Sequence, residues 1–259
     1  MNAYEGGDGR ALLMVHGSGP GASSIGNWQL VLDDLAARYH VLAIDLIGFG
    51  LSDRKPEPPY FDFDLWIRQI GTALDYLGAT DIGLVGHSLA GALVLKAASL
   101  DSRVSGVLTT GTMGALMPVN PALNYVWRCP TSREEMRRAA QALIADHSLI
   151  TDAYLDFRMQ VVGSKEYQRY FNEMFDQPFE TYIAAAVLDD ETLARISAPV
   201  LMLHGTEDDP IPAETGSIAL QPKLPKADVL LLHNCSHSVA MERRAAFLNA
   251  VFGHFEGRA

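Results

Sequence analysis

The chain has only two cysteines in 259 residues, Cys129 and Cys235. That is too few for a disulfide framework, and the pair shows no metal-ligand spacing. Basic residues are scarce as well: 20 Lys and Arg stand against 31 Asp and Glu, a formal net charge of −11. A nucleic-acid surface needs a basic face to replace phosphate counterions, so no nucleic-acid partner is expected. The same negative field gives an anionic membrane no handle. No apolar run approaches the ~18 residues of a membrane span. The first thirty or so residues lack the basic start and apolar block of a secretory signal. A soluble, cytoplasmic protein is the expectation.

What the chain does have is hydrophobic residues, 48% of the total. A chain of this size buries roughly 73% of its unfolded surface, so a large core forms without metal or disulfide support. Short apolar runs at 12–16, 41–44, 82–85, 104–109, 199–204 and 229–232 read as buried strands. Between them, 25–38, 64–77, 89–100 and 240–255 carry apolar residues at helical spacing, with Gly78 placed to end the second. Strands separated by helices imply crossover connections and a mainly parallel sheet covered on both faces, an α/β fold. From 114 to 196 that rhythm stops. Five helical patterns (133–144, 152–162, 165–175, 180–188 and 191–196) follow without a convincing strand. This predicts a sheet core of residues 1–113 and 197–259 with a helical cap inserted at 114–196. A separate helical domain is the alternative.

Gly86-His87-Ser88-Leu89-Ala90-Gly91 lies between an expected strand and an expected helix. A serine on such a sharp turn is forced outward at the mouth of the sheet, with small residues two before and two after it. Ser88 is therefore the candidate nucleophile. Its base and orienting carboxylate should follow later strands, in the order acid then histidine. The first such loop, after 199–204, offers Glu207, Asp208 and Asp209, which spacing alone does not rank. The second, after 229–232, offers His233 and His237. His237 is favoured because it lies out in the loop, whereas His233 continues directly from the strand. His233, Cys235 and His237 could also be read as metal ligands, but no further ligand cluster accompanies them. The run His16-Gly17-Ser18-Gly19-Pro20-Gly21 supplies the second of the two N–H donors that an acyl-transfer oxyanion needs. Those donors are expected to be the amides of Leu89 and Ser18. A nucleotide loop is disfavoured, because the Gly-x-Gly-x-x-Gly spacing and a Lys-Ser/Thr pair are missing.

From about Ala11 onward the sequence resembles the α/β-hydrolases. Within them, 16–22 with Asn27-Trp28, the run 45–53 and Leu149-Ile150-Thr151-Asp152 are similar to the meta-cleavage product hydrolases. Those enzymes hydrolyse a carbon–carbon bond in the vinylogous 1,5-diketones made by catechol ring fission. The resemblance implies Asp208 as the triad acid, fifth in its His-Gly-x-x-Asp run. It also implies Arg158 and Asn27 on the substrate's carboxylate, and Gly17, Gly19 and His87, next in sequence to Ser18 and Ser88, are further candidates for substrate contact. An arginine fork suits that charge. Three positions depart from the family pattern. His87 stands where asparagine is usual, Ser238 where tryptophan commonly follows the catalytic histidine, and Ala90 at the third glycine. No strand is expected ahead of Leu12, where the family places one or two. The reading is a Ser-His-Asp hydrolase of a small hydrophobic molecule, needing no cofactor and no metal. A carboxylesterase or lactonase is the alternative within the class, and a ligand-binding receptor the alternative outside it. The sequence leaves a homo-oligomer open.

Overall fold

The apolar runs resolve into one sheet of seven strands. The computed structural model describes residues 1–256; 257–259, the end of the expected core segment, lie outside the described residues. The strands are β1 (Ala3–Gly6), β2 (Arg10–Val15), β3 (Tyr39–Ile44), β4 (Ile82–His87), β5 (Val104–Thr110), β6 (Val200–Gly205) and β7 (Ala227–Leu232). Their spatial order is β1-β3-β2-β4-β5-β6-β7. β1 pairs antiparallel with β3, and every other pair is parallel. Every residue of central β4 is buried, whereas edge strand β7 alternates toward solvent. Along β2 the two faces separate with a period of two. Leu13 and Val15 pack with the helices Phe63–Leu77 and Leu89–Leu100, and Leu12 and Met14 with Trp28, Leu35, Phe247 and Val251 on the other face. No helix among the described residues is long and apolar enough to cross a membrane.

Three expectations are corrected. A strand does precede Leu12: β1 pairs Ala3 with Ile44 through Gly6 with Val41. It is four residues long and only half-buried, which leaves no apolar run to read. The helix expected over 25–38 is two, Ser24–Trp28 and Leu32–Ala36. The chain bends between them so that Trp28 and Val31 are both buried, with Trp28 stacked 5.8 Å from Phe247. The closing helix is likewise two, Val239–Glu242 and Arg244–Glu256, parted at Arg243, whose guanidinium hydrogen-bonds the His233 carbonyl.

Between β5 and β6 the described chain is helical: Leu123–Trp127, Arg133–Leu143, Asp152–Val162, Lys165–Met174, Phe179–Ala186 and Asp190–Ala194, with a 3₁₀ turn at His147–Leu149. The first of these had no sequence signal. Four start on side-chain caps that satisfy free helical N–H groups, from Ser132, Thr151, Ser164 and Asp189. Aromatic contacts seat this block on the sheet domain, Phe61 lying 5.8 Å from Phe175 and 4.8 Å from Tyr182, and Phe49 lying 6.4 Å from Phe171.

At the carboxyl end of β3, buried Asp45 ties several loops together. It accepts from the Ser24 amide (2.7 Å), the Leu51 amide (2.9 Å) and Asn2 Nδ2 (2.8 Å). Next to it, the neutral ring of His16 accepts from the Leu46 amide at 3.0 Å and donates to the Gly17 carbonyl at 2.6 Å. Burial holds that imidazole below its usual pKa. Replacing Asp45 with alanine orphans two amides, at about 1–3 kcal/mol each. Urea unfolding of Asp45→Ala should therefore show a loss of that order, and a change below about 0.5 kcal/mol would contradict the assignment.

Candidate active site

A parallel sheet gathers its loops at the carboxyl ends of its strands, and a crevice opens where the strand order reverses. Here that point lies between β2, which leads to β3 on one side, and β4 on the other. The loops after β2 and β4 carry Ser18 and Ser88. Ser88 has φ 60° and ψ −123°, a strained conformation for a side chain with a Cβ. The turn is held from both ends. The Ser88 amide donates to the Thr110 carbonyl (2.8 Å), and the Ser88 carbonyl accepts from the amides of Gly91 (2.9 Å) and Met113 (3.1 Å). A Cβ on Gly86 would stand 2.5 Å from the Ala90 carbonyl oxygen, so only glycine allows strand and helix to approach this closely. Ala90, fully buried, is small enough for the other side.

The loops after β6 and β7 bring in the candidate acid and the candidate base. His237 Nδ1 lies 2.7 Å from Asp208 Oδ2, with both residues buried. Asp208 also accepts from the Ile211 amide at 3.0 Å, and His204 Nε2 lies 3.2 Å from its Oδ2. Burial would raise the Asp208 carboxyl, but the charge His237 carries when protonated and hydrogen bonds from His204 and His237 hold it well below the usual carboxylate range. Glu207 and Asp209 are exposed. The His233 side chain is 82% exposed and 3.6 Å from Glu207. Glu207, Asp209 and His233 therefore stand outside the cluster. No group of three or more His, Cys, Asp or Glu among the described residues could hold a metal ion.

Ser88 and His237 line one cavity of about 300 Å³ with Gly17, Ser18, Gly19, Asn27, His87 and Arg158. Among the described residues the Ser88 hydroxyl has no hydrogen-bond partner. Catalytic contacts commonly tighten only when substrate arrives. The β2 loop lies against the serine, since a Cβ on Gly17 would be 3.1 Å from Ser88 Cβ. The amides of Ser18 and Leu89 find no backbone acceptor among the described residues, as oxyanion donors require. His87 packs its ring 4.6 Å from that of His237, with Nδ1 2.9 Å from Thr110 Oγ1. Burial, then repulsion from His237, keeps His87 neutral. Arg158 donates to the Pro20 carbonyl at 2.5 Å, while its buried Nε has no partner.

Sequence reasoning missed His204, visible only as the first residue of the run that contains Asp208. It also missed the apolar part of the wall, which includes Val126, Leu143, Leu149, Tyr154, Phe157 and Met241. Nothing in the spacing of those residues distinguishes them from ordinary core.

A parallel sheet with an outward-turned serine and a buried Asp–His pair at its carboxyl edge defines an α/β-hydrolase. Residues 12–250 match the alpha/beta hydrolase family, and the chain belongs to it. Within that family its relatives are meta-cleavage product hydrolases. It is 31% identical to the 2-hydroxymuconate semialdehyde hydrolase of Pseudomonas sp. (strain CF600), over 96% of this chain and 88% of that one. Identity to the 2-hydroxy-6-oxo-2,4-heptadienoate hydrolase of Pseudomonas putida (strain F1) is 30%, over 96% and 90%. Among solved structures, the meta-cleavage product hydrolase CumD of Pseudomonas fluorescens IP01, a mutant complexed with acetates, matches with a TM-score of 0.94 at 30% identity, covering 100% of this chain and 94% of that one.

The geometry separates the three acids of one loop. Asp208→Asn should lower turnover by about 10⁴, the loss seen when a triad acid no longer sets the imidazole tautomer in serine proteases. Asp209→Asn and Glu207→Gln should stay near wild type. Steady-state kinetics of the three variants checks this, and a severe Asp209→Asn would reassign the acid.

Proposed function

We propose that this protein hydrolyses a carbon–carbon bond in a vinylogous 1,5-diketone dienoate, the kind of product left by ring fission of a catechol. Residues 1–113 and the described part of 197–259 form the hydrolase core and 114–196 a cap over the site. The observation that carries the reading is Arg158, which lines the cavity of Ser88 with a buried, unpartnered Nε, and Asn27 lines the same cavity. A buried guanidinium N–H without an acceptor is costly, and a substrate carboxylate would supply one. Relatives named for hydrolysis of such dienoates support the same substrate class.

In this mechanism His237 first moves the enol proton of the substrate to the dienol carbon, which leaves a ketone and an electron sink. Ser88 Oγ then attacks the carbonyl as His237 takes its proton, and Asp208 keeps the imidazole in the right tautomer. The amides of Ser18 and Leu89 stabilise the oxyanion. The carbon–carbon bond breaks as its electron pair flows through the conjugated double bond to that ketone, giving a dienolate that takes the proton held by His237. Water, activated by His237, releases the acyl group from Ser88. The partner is a small molecule in the cytoplasm, with no nucleic acid or membrane involved. A carboxylesterase is the second reading, favoured by His87 beside the nucleophile and Ser238 after His237. A receptor would need neither the strained serine nor the buried Asp–His pair.

Two variants test this proposal. Ser88→Ala should lose turnover by several powers of ten yet unfold at the same temperature, because one hydroxyl leaves the core untouched. Arg158→Ala should lower kcat/KM for a ring-fission dienoate about ten- to a hundred-fold, the equivalent of one charge-assisted hydrogen bond. A neutral nitrophenyl ester has no carboxylate to pair, so its hydrolysis should fall by no more than about threefold, the part owed to the lost bond to the Pro20 carbonyl. Equal small effects on both substrates would put the esterase first.

A further inference from the structure

The loop after β2 contains three glycines and a proline between Gly17 and Gly21. Glycine offers little resistance to alternative backbone conformations, so such a loop does not hold its amides in place unaided. Within the loop one hydrogen bond closes it, from the Ala22 amide to the Gly19 carbonyl at 2.9 Å. The sheet domain holds its first residue, through His16 Nδ1 and the Gly17 carbonyl.

The remaining side-chain hydrogen bonds to the loop come from the inserted helices. Trp127 Nε1 donates to Ser18 Oγ at 3.0 Å, Arg158 donates to the Pro20 carbonyl at 2.5 Å, and the Gly21 amide donates to the Tyr167 hydroxyl at 2.5 Å. Trp127 and Tyr167 are themselves immobilised. Trp127 is fully buried, stacked 5.4 Å from Phe175 with edge contacts to Phe179 and Tyr182. Tyr167 stacks 6.0 Å from Phe171, and burial pushes its phenol up to about 12, so its oxygen stays protonated and neutral. Both rings are packed against neighbouring aromatic side chains, which aims their polar atoms at the loop.

We infer that the inserted helices complete the oxyanion hole, with Trp127 and Tyr167 acting as positioning residues that hold the Ser18 amide where the developing oxyanion forms. The inference rests on the reading of Ser88 as nucleophile and Ser18 as oxyanion donor. An oxyanion donor contributes because it is already in place when charge appears, and removing one costs about 10²–10³ in rate. Loosening a donor without removing it costs less. The block between β5 and β6 is then a structural part of the catalytic machinery, not merely a cover that excludes water.

The test uses the full chain with Tyr167→Phe, which removes one oxygen atom, Trp127→Phe and Ser18→Ala. The substrate is whichever of the dienoate and nitrophenyl ester the wild type turns over. The three variants should lower kcat about ten- to a hundred-fold with KM within about twofold, and weaken binding of a phenylboronic acid, a tetrahedral oxyanion mimic, by the same factor. Trp127→Phe and Ser18→Ala should not add when combined, because they break the same hydrogen bond. Losses confined to KM or to thermal stability, or full additivity of that pair, would overturn the positioning role. Should Trp127→Phe fail to fold, Tyr167→Phe decides the question by the same readouts. If wild-type Ser88 does not react with a fluorophosphonate, the serine-hydrolase reading falls and this inference falls with it, a failure separate from the variant kinetics.

Discussion

The turn at Ser88 is the constraint on which the rest of the site depends. A non-glycine residue at φ 60° and ψ −123° is strained by roughly 1–3 kcal/mol and persists only where its surroundings leave it no alternative. Here β4 lies between β2 and β5, so the strand end of the turn cannot shift without breaking a parallel ladder. Beyond it, the helix Leu89–Leu100 buries nine of its residues and cannot rotate to relax the serine. The hydrogen bonds to Thr110, Gly91 and Met113 then fix the turn itself. Strain is retained because it projects a hydroxyl out of a fully buried strand.

Around that point the topology does the assembling. Loops after β2, β6 and β7 reach the serine because parallel strands deliver all their carboxyl ends to one edge. The acid and the base share only that edge: Asp208 and His237 are 29 residues apart in sequence and 2.7 Å apart in space. Asp208 is held by more than its partner. His204 Nε2 lies between the Ile211 carbonyl at 2.7 Å and Asp208 at 3.2 Å, and its Nδ1 meets Ser217 Oγ at 2.7 Å. A carbonyl only accepts, so Nε2 carries the proton and can share it with the carboxylate. Such a donor keeps a fully desolvated carboxylate ionised beside an imidazole that gains and loses charge.

Legibility in the sequence followed the range of the interaction. The helices Phe63–Leu77 and Leu89–Leu100 were readable because their apolar spacing and their ends are local, with Gly78 closing the first. The breaks at Gln29–Val31 and at Arg243 were not, because burial of Trp28 against Phe247 and the bond from Arg243 to His233 are tertiary. β1 was invisible because four half-exposed residues on a sheet edge make no pattern. Ser88 announced itself by turn chemistry. Choosing among Glu207, Asp208 and Asp209 needed either the family resemblance or the geometry, since all three are acids in one loop. The contact of Trp127 with Ser18 spans 109 residues and leaves no local trace.

The cavity divides its tasks by chain origin. From the sheet domain come Gly17, Ser18, Ser88 and His237, among them the groups to which the proposed mechanism assigns the protons and the oxyanion. From the helices between β5 and β6 come Val126, Leu143, Tyr154 and Phe157, which are apolar or aromatic and set shape, and Arg158, the one cation on that wall among the described residues. In a chain of net charge −11, one cation in the cavity lining would give the anionic substrate of the proposed reaction a single favourable orientation. His87 fits the same division. Held neutral by burial and by His237, it adds no second positive charge to compete with Arg158 for a carboxylate. An imidazolium formed at His237 would be balanced by Asp208, while the Arg158 Nε has no partner. On the proposed reading, charge for chemistry and charge for recognition come from different parts of the chain, and the bonds from Trp127 and Tyr167 to the loop after β2 tie those parts together.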